Sequence, residues 1–283
     1  MPAEFKRPFL ALVAIGVLAV AVLAIRPLMG QSREAYTAPR TADGKPDLNG
    51  IWQAVNTANW DIEEHGPQPS PHADLLGLYL AEPAGLGVVE GGSIPYKPEA
   101  LVMKNENFRR RLEVDPFNRG LGDPEAKCFL PGVPRATYMP YPFQIVQGAS
   151  TVVIAYEYRG GVREIPLGNA KLFKDVDSWM GQSVGHWEGD TLVVEVTGFN
   201  GMEWLDRAGN FLSGKAHVVE RYTRVSPDHL FYEAVIDDPT LFTRSWKLSM
   251  PLYRRIDRRA QIVEFRCMDL VEEYLYGKLR KPS

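Results

Sequence analysis

Two sets of polar side chains in this 283-residue chain fall at spacings that could carry chemistry. The first lies between residues 217 and 248. In the run Phe231-Tyr232-Glu233-Ala234-Val235-Ile236-Asp237, a period of two places Phe231, Glu233, Val235 and Asp237 on one face. After Asp238-Pro239 the same period groups Phe242, Arg244, Trp246 and Leu248, and in the preceding run His217 shares a face with Arg221. If these faces meet across a hairpin, Arg244 reaches Glu233 or Asp237 among aromatic rings. A carboxylate against an apolar wall has its pKa raised, a guanidinium binds an anionic substrate, and His217 adds a base near neutral pH. That combination suits general acid–base catalysis with catalytic residues His217, Glu233, Asp237 and Arg244. The same residues also fit a buried ion pair that sets strand register, with His217 bonded to a neighbour. Under both readings Arg244 is expected to be buried and paired with an acid.

The second set is His186, next to Trp187 and Glu188, with Asn200, Trp204 and Asp206. The tracts Gly198-Phe199-Asn200-Gly201 and Arg207-Ala208-Gly209-Asn210 read as turns, so these residues are expected to ring a barrel mouth and contact a ligand there. Turn chemistry alone accounts for the Asn and Asp equally well. Nothing calls for a metal or a cofactor. The five histidines show no paired ligand spacing, and there is no nucleophile elbow, phosphate loop or haem-attachment motif. Cys128 and Cys267 are too few for a disulfide scaffold but are expected to form one bridge in an oxidising compartment.

The elements that must position these residues are strands. Leu192, Val194 and Val196 alternate with Val193, Glu195 and Thr197, and Glu188-Gly189-Asp190 reads as a tight hairpin turn into that run. Further runs at 143–147, 151–158, 162–165 and 260–267, separated by Gly, Pro and Asp, complete an all-β antiparallel meander curled into a barrel. Asp269 is expected to cap a C-terminal helix whose stripe Val271, Leu275, Leu279 docks on that barrel. Residues 54–142 carry prolines too frequent for long regular elements, apart from one helix over 101–112 that shows Arg109, Arg110 and Arg111 to solvent. Residues 46–281 are expected to be a single domain. With 32 basic against 35 acidic residues, no charge excess points to nucleic acid.

At the N-terminus Lys6 and Arg7 precede an uncharged apolar run, residues 9–25, followed by Arg26. Val22-Leu23-Ala24 would serve as a signal-peptide cleavage site, whereas the run extended to residue 29 is near the lower limit for a transmembrane helix. The anchor reading is preferred: residues 1–30 span the membrane with the N-terminus inside, residues 31–45 form a tether, and the rest lies on the periplasmic side. Cleavage and secretion are the alternative.

The tracts PDLNGIWQ, CFLPGVPRATYMPYPFQIVQ, WMGQSVGHWEGDTLVVEVTGFNG and HVVERYTR resemble a family of uncharacterised secreted bacterial proteins with signal sequences, over nearly all of residues 39–281. That resemblance implies an extracytoplasmic single domain and transfers no site residue. More loosely, Gly50-Ile51-Trp52 with the meander and the C-terminal helix is similar to lipocalin or calycin barrels, from which the insertion at 54–142 departs. Two functions follow as expectations. The first is a membrane-anchored accessory subunit or binding protein that contacts lipid through residues 9–29 and packs on other membrane protein subunits. The second is a cofactor-free isomerase, lyase or hydratase acting on a small apolar substrate inside the barrel.

Overall fold

The computed structural model describes residues 36–69, 81–113 and 122–265, and those from Ala38 onward belong to one compact unit. Its framework follows from the period-two runs. Strand β6 (Thr191–Thr197) buries Leu192, Val194 and Val196, and it is entered from β5 (Gln182–Glu188) through Gly189-Asp190, where Gly189 has a φ of +57° that favours glycine. Strands β7 (His217–Ser226), β8 (His229–Asp237) and β9 (Trp246–Arg254) continue the meander. They turn Val218, Glu220, Tyr222, Leu230, Tyr232, Ala234, Ile236, Leu248 and Leu252 inward. Earlier in the chain come β1 (Gly50–Ala54), β2 (Phe143–Gln147), β3 (Thr151–Tyr156) and β4 (Val162–Pro166).

The nine strands lie in the order β4-β3-β2-β1-β9-β8-β7-β6-β5, with every neighbouring pair antiparallel. An odd count has a geometric consequence. Strands that alternate in direction leave the first and ninth pointing the same way, so the seam between β4 and β5 is parallel. A parallel join cannot be a tight hairpin; here residues 167–181 make the connection. The seam is held by a parallel bridge of Leu167 with Gly185, in which the Gly168 N–H donates to the Gly185 carbonyl at 2.8 Å. A Cβ on Gly185 would come within 2.9 Å of both Ile165 Cγ2 and Leu167 Cδ2, so glycine is what lets the two edges approach. The result is a nearly closed barrel with few helices.

The described residues between 55 and 142 are irregular yet packed. Val88 and Val89 continue the pairing along β9 beyond the reach of the shorter β1: Ser249 N–H donates to Val88 O at 3.0 Å and Glu90 N–H to Lys247 O at 2.8 Å. Helix α1 (Pro98–Arg110) begins earlier than residue 101 because Pro98 stands where a missing N–H costs nothing. The short helix α2 (Arg135–Tyr138) is wholly buried. Trp52 is fully enclosed, its indole N–H bonded to Leu48 O at 3.0 Å and its ring between Arg224 and Arg254.

One expected strand does not form. Residues 260–265 belong to no sheet, and both edges of β9 are occupied by β8 and β1. Phe265 instead packs on Tyr158 and Tyr141. The C-terminal helix, the N-terminal segment 1–30 and Cys267 lie outside the described residues; Cys128 is buried. Among the described residues no helix is long and apolar enough to cross a membrane.

Candidate functional site

The residues expected to be catalytic lie on the outer face of the sheet. Since Val218, Tyr222, Tyr232, Ala234 and Ile236 point inward, His217, Glu233 and Asp237 must point outward by the strand period. His217 and Asp237 stand opposite each other in register, and His217 Nε2 reaches Glu195 at 3.4 Å. Glu233 pairs with Lys247 at 3.0 Å, not with Arg244. The expected burial of Arg244 is corrected: it is exposed, in the loop before β9. Asp238 carbonyl accepts the N–H groups of Leu241 and Phe242, and Thr243 N–H donates to Pro95 O, so the strand starts at Trp246 and the alternation read from Phe242 onward does not exist.

The second expected set does not converge on one mouth. His186 is exposed and 3.2 Å from Glu188. Trp204 is packed in the core, and Asp206 is fully buried, accepting Ile62 N–H at 3.0 Å and Asn210 Nδ2 at 2.6 Å. Asn200 closes a turn by accepting Met202 N–H at 2.9 Å and lines a cavity described below.

Two buried polar clusters emerge. The first joins the irregular segment to the loop after β6. Arg135 donates to Asn59 at 2.8 Å, to both oxygens of Asp123 at 2.7 and 3.0 Å, and to Glu125 at 2.7 Å. Arg207 closes on Glu125 with bonds of 2.8 and 2.6 Å, and Asn59 donates to it at 3.1 Å. Two guanidinium groups thus face two carboxylates, and every charge has a partner. Burial alone would raise the Glu125 carboxyl, but Arg207 and Arg135 hold it down at about 2. Nearby, burial and the Asp61 carboxylate push Asp206 up to about 8.

The second cluster lies inside the barrel. Arg163 on β4 donates Nε to Ser183 Oγ on β5 at 2.7 Å, across the seam, and Nη2 to Glu220. The other oxygen of Glu220 accepts the hydroxyls of Tyr222 at 3.0 Å and Tyr232 at 2.8 Å. Burial keeps the Tyr156, Tyr222 and Tyr232 hydroxyls neutral by raising their pKa. This cluster is incompletely satisfied. Arg163 Nη1 is buried without a well-formed hydrogen bond, and the buried Tyr156 hydroxyl makes only poorly formed contacts, with Arg163 and Thr137. Such groups are rare and costly in folded proteins.

Over the seam lies a cavity of about 750 Å³ lined by β4, by Gln182 and Ser183 of β5, by the connection from Lys171 to Gly181, and by Leu130, Asn200 and Met202. Arg163 and Ser183 belong to this lining, so the polar cluster and the cavity share residues. Trp179 stacks on Phe129 with ring centroids 5.1 Å apart, and Leu172, Phe173 and Val162 hold apolar side chains out to solvent at the rim. Glu203, next to the lining residue Met202, accepts the N–H groups of Asn200 and Gly201, each at 2.9 Å; burial still raises its carboxyl to about 7.

A sequence signal for the interior cluster exists. Glu220 alternates with Val218 and Tyr222, and Arg163 shares a face with Ile165, which places both among apolar neighbours. Attention to the only histidine in the tract selects the opposite face of β7. Among the described residues no group of three or more His, Cys, Asp or Glu is placed to hold a metal ion. The chain matches no model of a known protein family. No curated protein matches it either.

Proposed function

We propose that this chain is a binding protein of the periplasmic side, anchored to the membrane by residues 9–29 alongside other membrane protein subunits, and that it holds a small molecule at the barrel seam. The observation that carries the reading is the cavity over β4 and β5, of a size suited to small ligands, with an apolar rim and buried polar groups in its wall. The described barrel interior holds large side chains such as Trp52, Tyr222, Tyr232 and Phe143, which favours the seam as the place for a ligand. The uncharged run at residues 9–25, flanked by Lys6, Arg7 and Arg26, supports a position of the barrel outside the cytoplasm.

The acid–base enzyme is a second reading, and Glu203 favours it. A carboxyl with a pKa of about 7 beside the cavity can exchange a proton near neutral pH. The two readings part in one experiment. Protein purified from its native membranes in mild detergent is denatured, and the released small molecules are identified by mass spectrometry alongside the intact protein mass. The binding reading expects residues 1–30 retained and one small molecule released in near-stoichiometric amount. A chain trimmed of its N-terminus and free of any retained molecule contradicts it.

A further inference from the structure

We infer that the barrel rests on anionic phospholipid headgroups through the turn that follows β9, residues 254–259, and the exposed apolar side chains beside it on β8 and β9. This rests on the reading of the chain as membrane-anchored and adds which end of the barrel meets the bilayer and which lipid it takes.

The turn reads Arg254-Arg255-Ile256-Asp257-Arg258-Arg259, four arginines against one aspartate. Other surface arginines have acids against them: Arg40 pairs with Asp190 at 2.7 Å, Arg221 with Glu188 at 2.8 Å, and Arg109 with Glu106. Among the described residues none of the four arginines in the turn forms an ion pair. Arg254 lies over the Trp52 ring, Arg255 donates to Gln53 Oε1 at 3.1 Å, and Arg258 and Arg259 are exposed. Asp257 closes the turn, its carboxylate accepting Arg259 N–H at 2.8 Å and its carbonyl accepting Ala260 N–H at 2.9 Å. The acid on the adjacent β7–β8 turn is Asp228, and counting it still leaves four arginines against two acids. Like charges held this close repel, and anions brought among them relieve that repulsion. A phosphodiester suits the guanidinium, which offers it two parallel N–H groups.

The apolar part of the surface says what carries the phosphate. Ile256, in the middle of the arginines, is 76% exposed. Phe231 and Tyr253 also hold their rings out on the outer face of β8 and β9, where Phe231 stands opposite the exposed Pro251. Aliphatic and aromatic side chains that enter the headgroup layer, with arginines among the phosphates, are the composition of a surface that lies on lipid. Position agrees. Arg254 N–H donates to Asp228 O at 2.9 Å, and Arg224 bridges Pro227 O at 2.8 Å to Asp47 O at 2.6 Å. The basic turn therefore lies at the end of the barrel where residues 38–49 lead into β1. Under the anchor reading only residues 30–37 separate the membrane segment from Ala38, a chain length of at most about 29 Å.

The test is amide hydrogen exchange of the full chain, reconstituted into discs of phosphatidylcholine alone or with one third phosphatidylglycerol. Exchange at residues 255–260 is expected to slow at least about five-fold in the anionic discs, roughly the worth of one arginine at a charged membrane surface. The slowing is expected to vanish at about 1 M salt, where charges are screened within about 3 Å. It is also expected to vanish in the double variant Arg258→Glu, Arg259→Glu. Both side chains are exposed and without ion pairs, so that variant keeps the fold. Equal exchange in the two discs, or slowing that survives in the double variant, overturns the inference and leaves the anchor reading intact. Stronger protection by soluble polyglutamate than by phosphatidylglycerol assigns the surface to an acidic protein and likewise overturns it. A chain that stays outside phosphatidylcholine discs but is protected on anionic ones supports the inference and removes the anchor. A chain that associates with neither disc overturns both.

Discussion

The two buried clusters of this protein are built from the same side chains and end in opposite states. Around Arg135, a guanidinium, two carboxylates and an asparagine are joined with no buried N–H or oxygen left over among the residues that compose it. Around Arg163, a guanidinium, a carboxylate and three tyrosines leave Arg163 Nη1 and the Tyr156 hydroxyl without well-formed bonds. The difference lies in what each cluster joins. The first stitches the irregular segment to the loop that carries Arg207, where a missing bond would leave backbone and charge uncompensated in the core. The second sits on the one seam the odd strand count leaves weakly joined, beside a cavity. Complete satisfaction marks a structural device; the incomplete cluster contributes only Arg163 and Ser183 to the cavity wall.

The comparison is broken most forcefully at Arg135. Replacing it with Met strands Asp123 and the Arg207-bound Glu125 in the core, and a loss of about 3–5 kcal/mol is expected in urea denaturation, enough to leave the chain unfolded. A variant that unfolds at the wild-type midpoint would show that the network is not structural.

The pH dependence separates the two regions next. Glu203 and Asp206 have folded pKa values raised from 4.5 to about 7 and from 3.8 to about 8 by burial. The folded chain therefore holds more protons than the unfolded chain between about pH 4 and pH 8, and stability falls as pH rises through that window. Glu203 by itself contributes on the order of 3 kcal/mol of that fall. Glu125 has the opposite sign: its contribution is complete above pH 4.5 and is lost as pH drops toward 2. Stability measured from pH 5 to pH 8 is expected to decline in the wild type and to flatten in Glu203→Gln and Asp206→Asn. A rise over that range contradicts both assignments.

A matched pair of smaller changes sharpens the contrast. Tyr138→Phe deletes a hydroxyl that donates to Leu205 O at 2.7 Å and is expected to cost about 1 kcal/mol. Tyr156→Phe deletes a hydroxyl that makes only poorly formed contacts with Arg163 and Thr137, and is expected to change stability by less than about 0.5 kcal/mol. Equal losses in thermal or urea unfolding would remove the distinction. The smallest effect is expected at Arg244, which is exposed and bonded only to Ser245 O: Arg244→Leu should leave the urea midpoint within about 0.5 kcal/mol of wild type.

Arg244 also shows where sequence reasoning stops. Its alternation with Phe242 and Trp246 is real in the text of the chain, but Asp238 captures the backbone of Leu241 and Phe242 and turns those residues into a loop. Local turn bonding overrides period here, the Asp238 carbonyl holding Leu241 and Phe242 while its carboxylate holds the Thr240 N–H, and only a residue such as Asp after a strand hints at it. The strands themselves were legible, because Leu192-Val194-Val196 and their counterparts have one apolar face each. What could not be read was closure: nothing in residues 260–265 tells that β9 already has both neighbours, and nothing in the count of runs tells that the barrel ends on a parallel seam. The interior cluster was half legible. Period two places Glu220 with Tyr222 and Arg163 with Ile165, but the 57 positions between the charges carry no mark that they meet across the barrel.

The most direct measurement is a crystal structure of the chain purified from its native membranes. The account predicts a small molecule in the seam cavity, beside Trp179 and Met180. A seam cavity that holds no molecule, or that is closed by the protein itself, would contradict it.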